Sequence, residues 1–161
     1  MASMMQKAGA ATPSADRITL LRDADGDGVA EIRTQFLSGL YSPFGMALVG
    51  DRFYVANADA LVSFPYKPGD THITAAPKFI ANLPGGINHH WTKSLVANAD
   101  GSRLYVGVGS NSNVAEKGMD AELNRAAVLE VDPSSGSTRV YASGLRNPVG
   151  MAWEPAKQAL W

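Results

Sequence analysis

The chain has no cysteine, which removes disulfides, thiol catalysis and thiolate metal sites at once and leaves the redox compartment open. No apolar run approaches the roughly 20 residues that cross a bilayer, so no membrane span is expected. Charge is almost balanced, with 14 basic and 15 acidic residues and a formal net charge of -1. Scattered Lys and Arg form no basic stripe to neutralise phosphates, so nucleic acid is not an expected partner. No convincing long amphipathic helix is present, nor a Gly-x-Ser-x-Gly elbow, a phosphate loop or a dinucleotide fingerprint. Histidine is scarce too, and two of the three stand together at His89 and His90.

What remains, at 45% hydrophobic and 18% charged residues, fits one globular unit. Residues 1–16 are rich in Ala, Ser and Met without the apolar centre of a signal peptide, and read as a disordered leader preceding a domain over 17–161. Short Val, Ile, Leu, Phe and Tyr runs recur between Gly, Pro, Asn and Asp clusters, the pattern of an all-β protein. Strands are expected at Ile18–Arg22, Ala30–Leu37, Gly45–Leu48, Arg52–Ala56, Ala60–Pro65, Lys78–Ala81, Ser94–Ala97, Arg103–Gly107, Ala126–Asp132, Arg139–Ser143 and Gly150–Trp153. The stretch Asn111–Arg125 breaks the rhythm and is expected to be a long, site-lining loop.

An internal repeat identifies the architecture. Phe36–Leu48 aligns with Tyr141–Trp153 without a gap, sharing Ser-Gly-Leu, the Pro and Gly-Met-Ala, and a weaker copy starts at Phe79. Each copy leaves one strand, crosses a loop and enters the next, and a tight hairpin follows. Repeats of this size predict β-propeller blades of four antiparallel strands. The chain holds about three, against the four to eight of a complete ring. A last strand at Leu160–Trp161 would leave an open apolar edge, so either missing C-terminal blades or a homo-oligomer is expected to complete the circle.

Two constellations carry chemistry. Asp23, Asp25, Asp27, the carbonyl of Val29 and Glu31 put oxygen donors at alternate positions of a Gly-rich turn, the donor set that Ca2+ takes. Thr34 stands where an EF-hand would have its bidentate Glu, and β-type segments flank the loop, so an EF-hand is excluded. A solvated Asp-Gly hairpin turn accounts for the same residues. The second is Asn88-His89-His90-Trp91-Thr92-Lys93 with Asn111, Asn113, Arg146 and Asn147. Propeller sites gather where blade loops meet the central channel, which would bring His90, Lys93, Asn111, Asn113, Arg146 and Asn147 to one cavity. Histidine is the usual base near neutral pH, and on a strand two adjacent histidines would face opposite ways. Asn and Arg without a nucleophile point to binding and orientation of a small-molecule substrate.

The runs at 88–95, 104–113, 124–127 and 144–150 together resemble the sorbosone dehydrogenase family, relatives of soluble sugar dehydrogenases. That resemblance implies a six-bladed propeller that binds pyrroloquinoline quinone (PQQ) with calcium and oxidises sugars or sugar aldehydes in the periplasm or outside the cell. By position, His90 is similar to the general base, Arg146 and Asn147 to the pair lying against the cofactor, and Asn111 to a residue of its pocket wall. Ser110 stands where glucose-oxidising relatives carry Asp. A calcium-dependent propeller hydrolase acting on esters, lactones or phosphotriesters is the alternative, and a non-catalytic propeller fragment a third.

Overall fold

The computed structural model describes residues 13–86 and 89–161, so most of the expected leader and Asn88 lie outside the described residues. Among the described residues twelve strands follow one another: β1 (Ile18–Arg22), β2 (Ile32–Leu37), β3 (Gly45–Val49), β4 (Arg52–Ala56), β5 (Ala60–Pro65), β6 (Lys78–Asn82), β7 (Leu95–Ala97), β8 (Leu104–Val108), β9 (Ala127–Val131), β10 (Thr138–Ser143), β11 (Trp153–Glu154) and β12 (Ala159–Leu160). One 3-10 turn, Met119–Glu122, interrupts them. Strands β3 to β6 form one four-stranded sheet and β7 to β10 another, each pairing only neighbours in sequence; β1–β2 and β11–β12 are hairpins on either side. All pairings are antiparallel. These are two complete propeller blades flanked by two half-blades, the all-β class expected from the repeat.

Stacked blades cover both faces of a sheet at its inner strands, and the sequences of those strands show it. In β4, Tyr54 and Ala56 enter the cluster shared with Leu95, Leu104 and Val106, while Val55 enters the cluster with Phe36 and Leu37. Buried on both faces, such strands read as unbroken apolar runs rather than alternating ones. All five residues of β8 are buried. Truncating Leu104, which has no exposed surface, to Ala would cost about 2–5 kcal/mol.

Successive blades meet closely. The Gly45 N–H donates to the Lys93 carbonyl at 3.0 Å, and a Cβ on Gly45 would lie 2.3 Å from that oxygen. Glycine is required there because two backbones touch. A Cβ on Gly107 would likewise lie 2.3 Å from the Pro148 carbonyl.

Because neighbouring strands run in opposite directions, the connections alternate between two ends of the blades. Segments 38–44, 57–59, 83–86 with 89–94, 109–126 and 144–152 share one end. The β1–β2 loop falls at the other, where the Arg22 guanidinium donates to the carbonyls of Gly69 and Asp70 in the β5–β6 connection.

Some boundaries differ from expectation for local reasons. Ala126 has φ 50°, a left-handed backbone outside the strand region, so β9 begins one residue later. Strand β11 is two residues rather than Gly150–Trp153, since the ladder with β12 runs out at the Ala152–Trp161 pair. Asp16, at the end of the expected leader, is tied in: its carbonyl accepts the Leu40 N–H and its carboxylate the Ser42 N–H, which lowers its pKa together with the Ser14 hydroxyl.

Candidate functional site

His90 lies in the β6–β7 connection, which is irregular where a strand would have separated the two histidines. Their rings meet edge to face at 4.8 Å, with His89 exposed and His90 half-buried. His90 is held from the β8–β9 connection. Its Nδ1 lies 2.9 Å from the Ser110 carbonyl and 3.2 Å from the Ser110 Oγ, and its backbone N–H also points to that carbonyl.

The loop that begins at Gly109 is the centre of the arrangement. A Cβ on Gly109 would fall 2.4 Å from both Asn147 Oδ1 and His90 Cβ, so a bare backbone lets the two side chains close over it. Ser110 donates its N–H to the Arg146 carbonyl at 2.8 Å, docking the β10–β11 connection on the same loop. The Arg146 guanidinium, exposed, reaches the Asn113 carbonyl at 3.2 Å and, more closely, Asn113 Oδ1. His90, Ser110, Asn111, Asn113, Arg146 and Asn147 therefore converge at one end of the blades. Among the described residues, Asn111 Oδ1 and Asn147 Oδ1 are buried without a hydrogen-bond partner. Buried acceptors of that kind are uncommon and call for a ligand, ion or water.

Glu122, which sequence reasoning missed, anchors this loop. Its carboxylate accepts the Asn111 N–H at 2.8 Å and the Ser112 hydroxyl at 2.5 Å. Burial pushes its pKa up, but Ser112, Asn111 and the Arg125 charge together hold it below the usual value. Arg125 is itself buried, donates to the Gly85 carbonyl at 2.6 Å, and has its pKa lowered by burial.

Lys93 is placed differently from the other expected cofactor residues. Its side chain has no exposed surface and Nζ donates to the Trp91 carbonyl at 2.9 Å. Burial, then the Arg125 charge, lowers its pKa to about 8 against an opposing pull from Asp59. Phe44 and Trp91, each about two-fifths exposed, meet edge to face at 5.8 Å at the same end of the blades. A groove of about 630 Å³ reaches Asn113 and Arg146, walled by Met119, Leu123, Arg125 and Val140.

The acidic loop stands apart. Carboxylate oxygens of Asp23, Asp25, Asp27 and Glu31 all lie within 4.8 Å of one another, and all four residues are exposed. Asp23 accepts the N–H groups of Gly28 and Gly26, which lower its pKa, and Glu31 closes the loop onto the Ala24 N–H. Val29 donates its N–H to Asp27, and Thr34 turns away to the Thr71 carbonyl. Strand alternation puts this loop at the end opposite His90.

The TrAA12-like family profile matches residues 17–161. Among solved structures, the holo form of the pyranose dehydrogenase PQQ domain from Coprinopsis cinerea is 18% identical with a TM-score of 0.71, over 87% of this chain and 41% of that one. An iodide structure of a carbohydrate-active enzyme of family AA12 from Trichoderma reesei is 17% identical with a TM-score of 0.74, over 90% and 39%. The calcium structure of that family from the same fungus gives 16%, 0.74 and the same coverage. No curated protein matches the chain. These likenesses establish the propeller fold, and the chain spans 39–41% of the length of those structures.

Proposed function

Because the chain belongs to the TrAA12-like family, we propose that it forms the part of a PQQ-dependent carbohydrate oxidoreductase that carries the base and one wall of the cofactor pocket. A pyranose dehydrogenase PQQ domain among its structural neighbours supports this reading at the level of a sugar oxidoreductase. A sugar or sugar aldehyde is the substrate class, as the likeness to sorbosone dehydrogenases suggests.

The residues suit a flat, polycarboxylated quinone. Arg146 offers an exposed guanidinium steadied by Asn113, able to pair with a carboxylate or lie against a ring. Asn111 and Asn147 hold amide oxygens without a partner, which would accept from a ring N–H of the cofactor or a bound water and not from its carboxylates. The bound quinone would supply the two-electron acceptor. His90 would take the substrate hydroxyl proton, and Arg146, Asn147 and Asn111 would hold the cofactor in register. Lys93, enclosed as it is, would contribute through the Trp91 carbonyl that it holds. The observation that carries the reading is the closure of His90 and Asn147 over Gly109, which sets these two side chains side by side.

Calcium belongs to the same proposal, in a structural role. Asp23, Asp25, Asp27 and Glu31, with the Val29 carbonyl, would hold it at the end of the blades away from His90. That separation does not favour the hydrolase alternative, which needs a metal beside the base. Ring completion by a second copy or by further chain, and a periplasmic or secreted location, are part of the proposal; solution mass distinguishes the two forms of closure.

Titration of PQQ against tryptophan fluorescence tests the reading, followed by dye reduction with aldoses and sugar aldehydes. Saturable quenching that Arg146→Ala weakens at least about tenfold, a loss of about 1.4 kcal/mol, is expected. Dye reduction should vanish in His90→Ala. Absence of PQQ binding would overturn the proposal.

A further inference from the structure

Protons at His90 can be counted from its partners. The Ser110 carbonyl is an acceptor only, so the Nδ1 that lies 2.9 Å from it must carry the hydrogen when the ring is neutral. Ser110 Oγ, 3.2 Å from the same nitrogen, has a single hydrogen, and that hydrogen is committed in a short bond to the Ser112 carbonyl. The hydroxyl therefore accepts from His90 as well. Nδ1–H is shared between two oxygens of one residue, and Nε2 keeps its lone pair.

The loop that supplies those oxygens is fixed by a carboxylate one step further out. Glu122 takes the Asn111 N–H and the Ser112 hydroxyl, the two groups immediately following Ser110. Ser110 and Ser112 are buried, and Gly109 leaves no slack on the other side. We infer that Glu122 and Ser110 are positioning residues that lock His90 in its Nδ1–H tautomer and so assign Nε2 as the basic nitrogen. A neutral histidine free in water prefers the opposite tautomer, so the protein reverses an intrinsic preference. The carboxylate acts at a distance, by holding the loop, where direct contact with the ring would have added a charge to it.

This rests on the proposed role of His90 as a base, but its test does not. Long-range 15N–1H NMR on the full chain, at a pH where His90 is neutral, reads the two nitrogens separately. His90 is expected to show a protonated Nδ1 and a bare Nε2, with exposed His89 as an internal reference. Glu122→Gln should turn a single tautomer into a mixture, and Ser112→Ala should move it the same way should the first variant fail to fold. Ser110→Ala keeps the backbone carbonyl and should leave Nδ1 protonated. A bare Nδ1 in the parent protein overturns the assignment, and a His90 spectrum unmoved by both loop variants overturns the role of Glu122. Failure to bind PQQ would leave either result standing.

Discussion

Lys93 makes the fold's stability depend on pH in a direction few proteins show. The side chain is fully enclosed, and burial together with Arg125 lowers its pKa from 10.5 to about 8. In the unfolded chain the amine returns to its ordinary value. Between those two values the unfolded state holds a proton that the folded state has released, so stability rises with pH. Below the folded value both states are protonated and the contribution is flat at its least favourable level. Each pH unit within the window is worth about 1.4 kcal/mol, so moving from about pH 8 to about pH 9.5 should add about 2 kcal/mol. Tyr54 and Tyr105, raised chiefly by burial, work in the opposite sense only above their ordinary value of 10.0. Urea unfolding followed by tryptophan fluorescence reads the slope. Lys93→Met fills similar space without a titrating group and should flatten it. An equal rise in parent and variant would sink the argument.

Three other expectations follow from the same contacts. Gly109→Ala forces a methyl to within 2.4 Å of Asn147 Oδ1 and His90 Cβ; it should lower unfolding stability by about 1–3 kcal/mol and displace the His90 signals, and an unaltered protein would refute the cradle. Calcium at roughly 100 times a dissociation constant of about 10⁻⁴ M should stabilise the fold by about 2.7 kcal/mol, seen as a raised Tm. Asp25→Asn should abolish that rise without changing PQQ binding, and loss of both together would contradict the separation of the two ends. On the proposed function, Phe44 and Trp91 would offer a sugar ring an apolar face next to His90; Trp91→Ala should then raise KM for the sugar about three- to tenfold at unchanged kcat, and an unchanged KM would remove the pair from the substrate path.

The inner strands were legible because β4, β5 and β8 are covered on both faces, and their apolar runs follow from that burial. The repeat from Phe36 to Leu48 located the blade-to-blade links correctly. The resemblance pointed to sorbosone dehydrogenases, and the family match places the chain more broadly among TrAA12-like proteins. Convergence of His90, Asn111, Asn113, Arg146 and Asn147 was also expected, and the loops bring those five together. Lys93 was expected in the same cavity because its segment adjoins a strand end where blade loops meet the central channel. On an irregular segment neighbours do not alternate faces as on a strand, and its chain turned inward. Glu122 carried no signal, and Arg125 only as part of the 124–127 run: their partners are Asn111, Ser112 and Gly85, joined by loop geometry that has no period to read. Gly109 could have been noticed only from the crowding that two approaching loops create.

Every residue of the candidate site except those in the Gly109–Arg125 loop sits in a link between consecutive blades. His90 belongs to the link between β6 and β7, and Arg146 and Asn147 to the link between β10 and β11. Their spacing is therefore a gauge of the angle at which blades lean on one another, read out at the rim. A shift of a core side chain such as Leu104, far below the surface, would reach the site as a change in that angle. The site should lose its alignment on warming before the blades themselves melt, and substitutions between blades should act on it more strongly than substitutions within one.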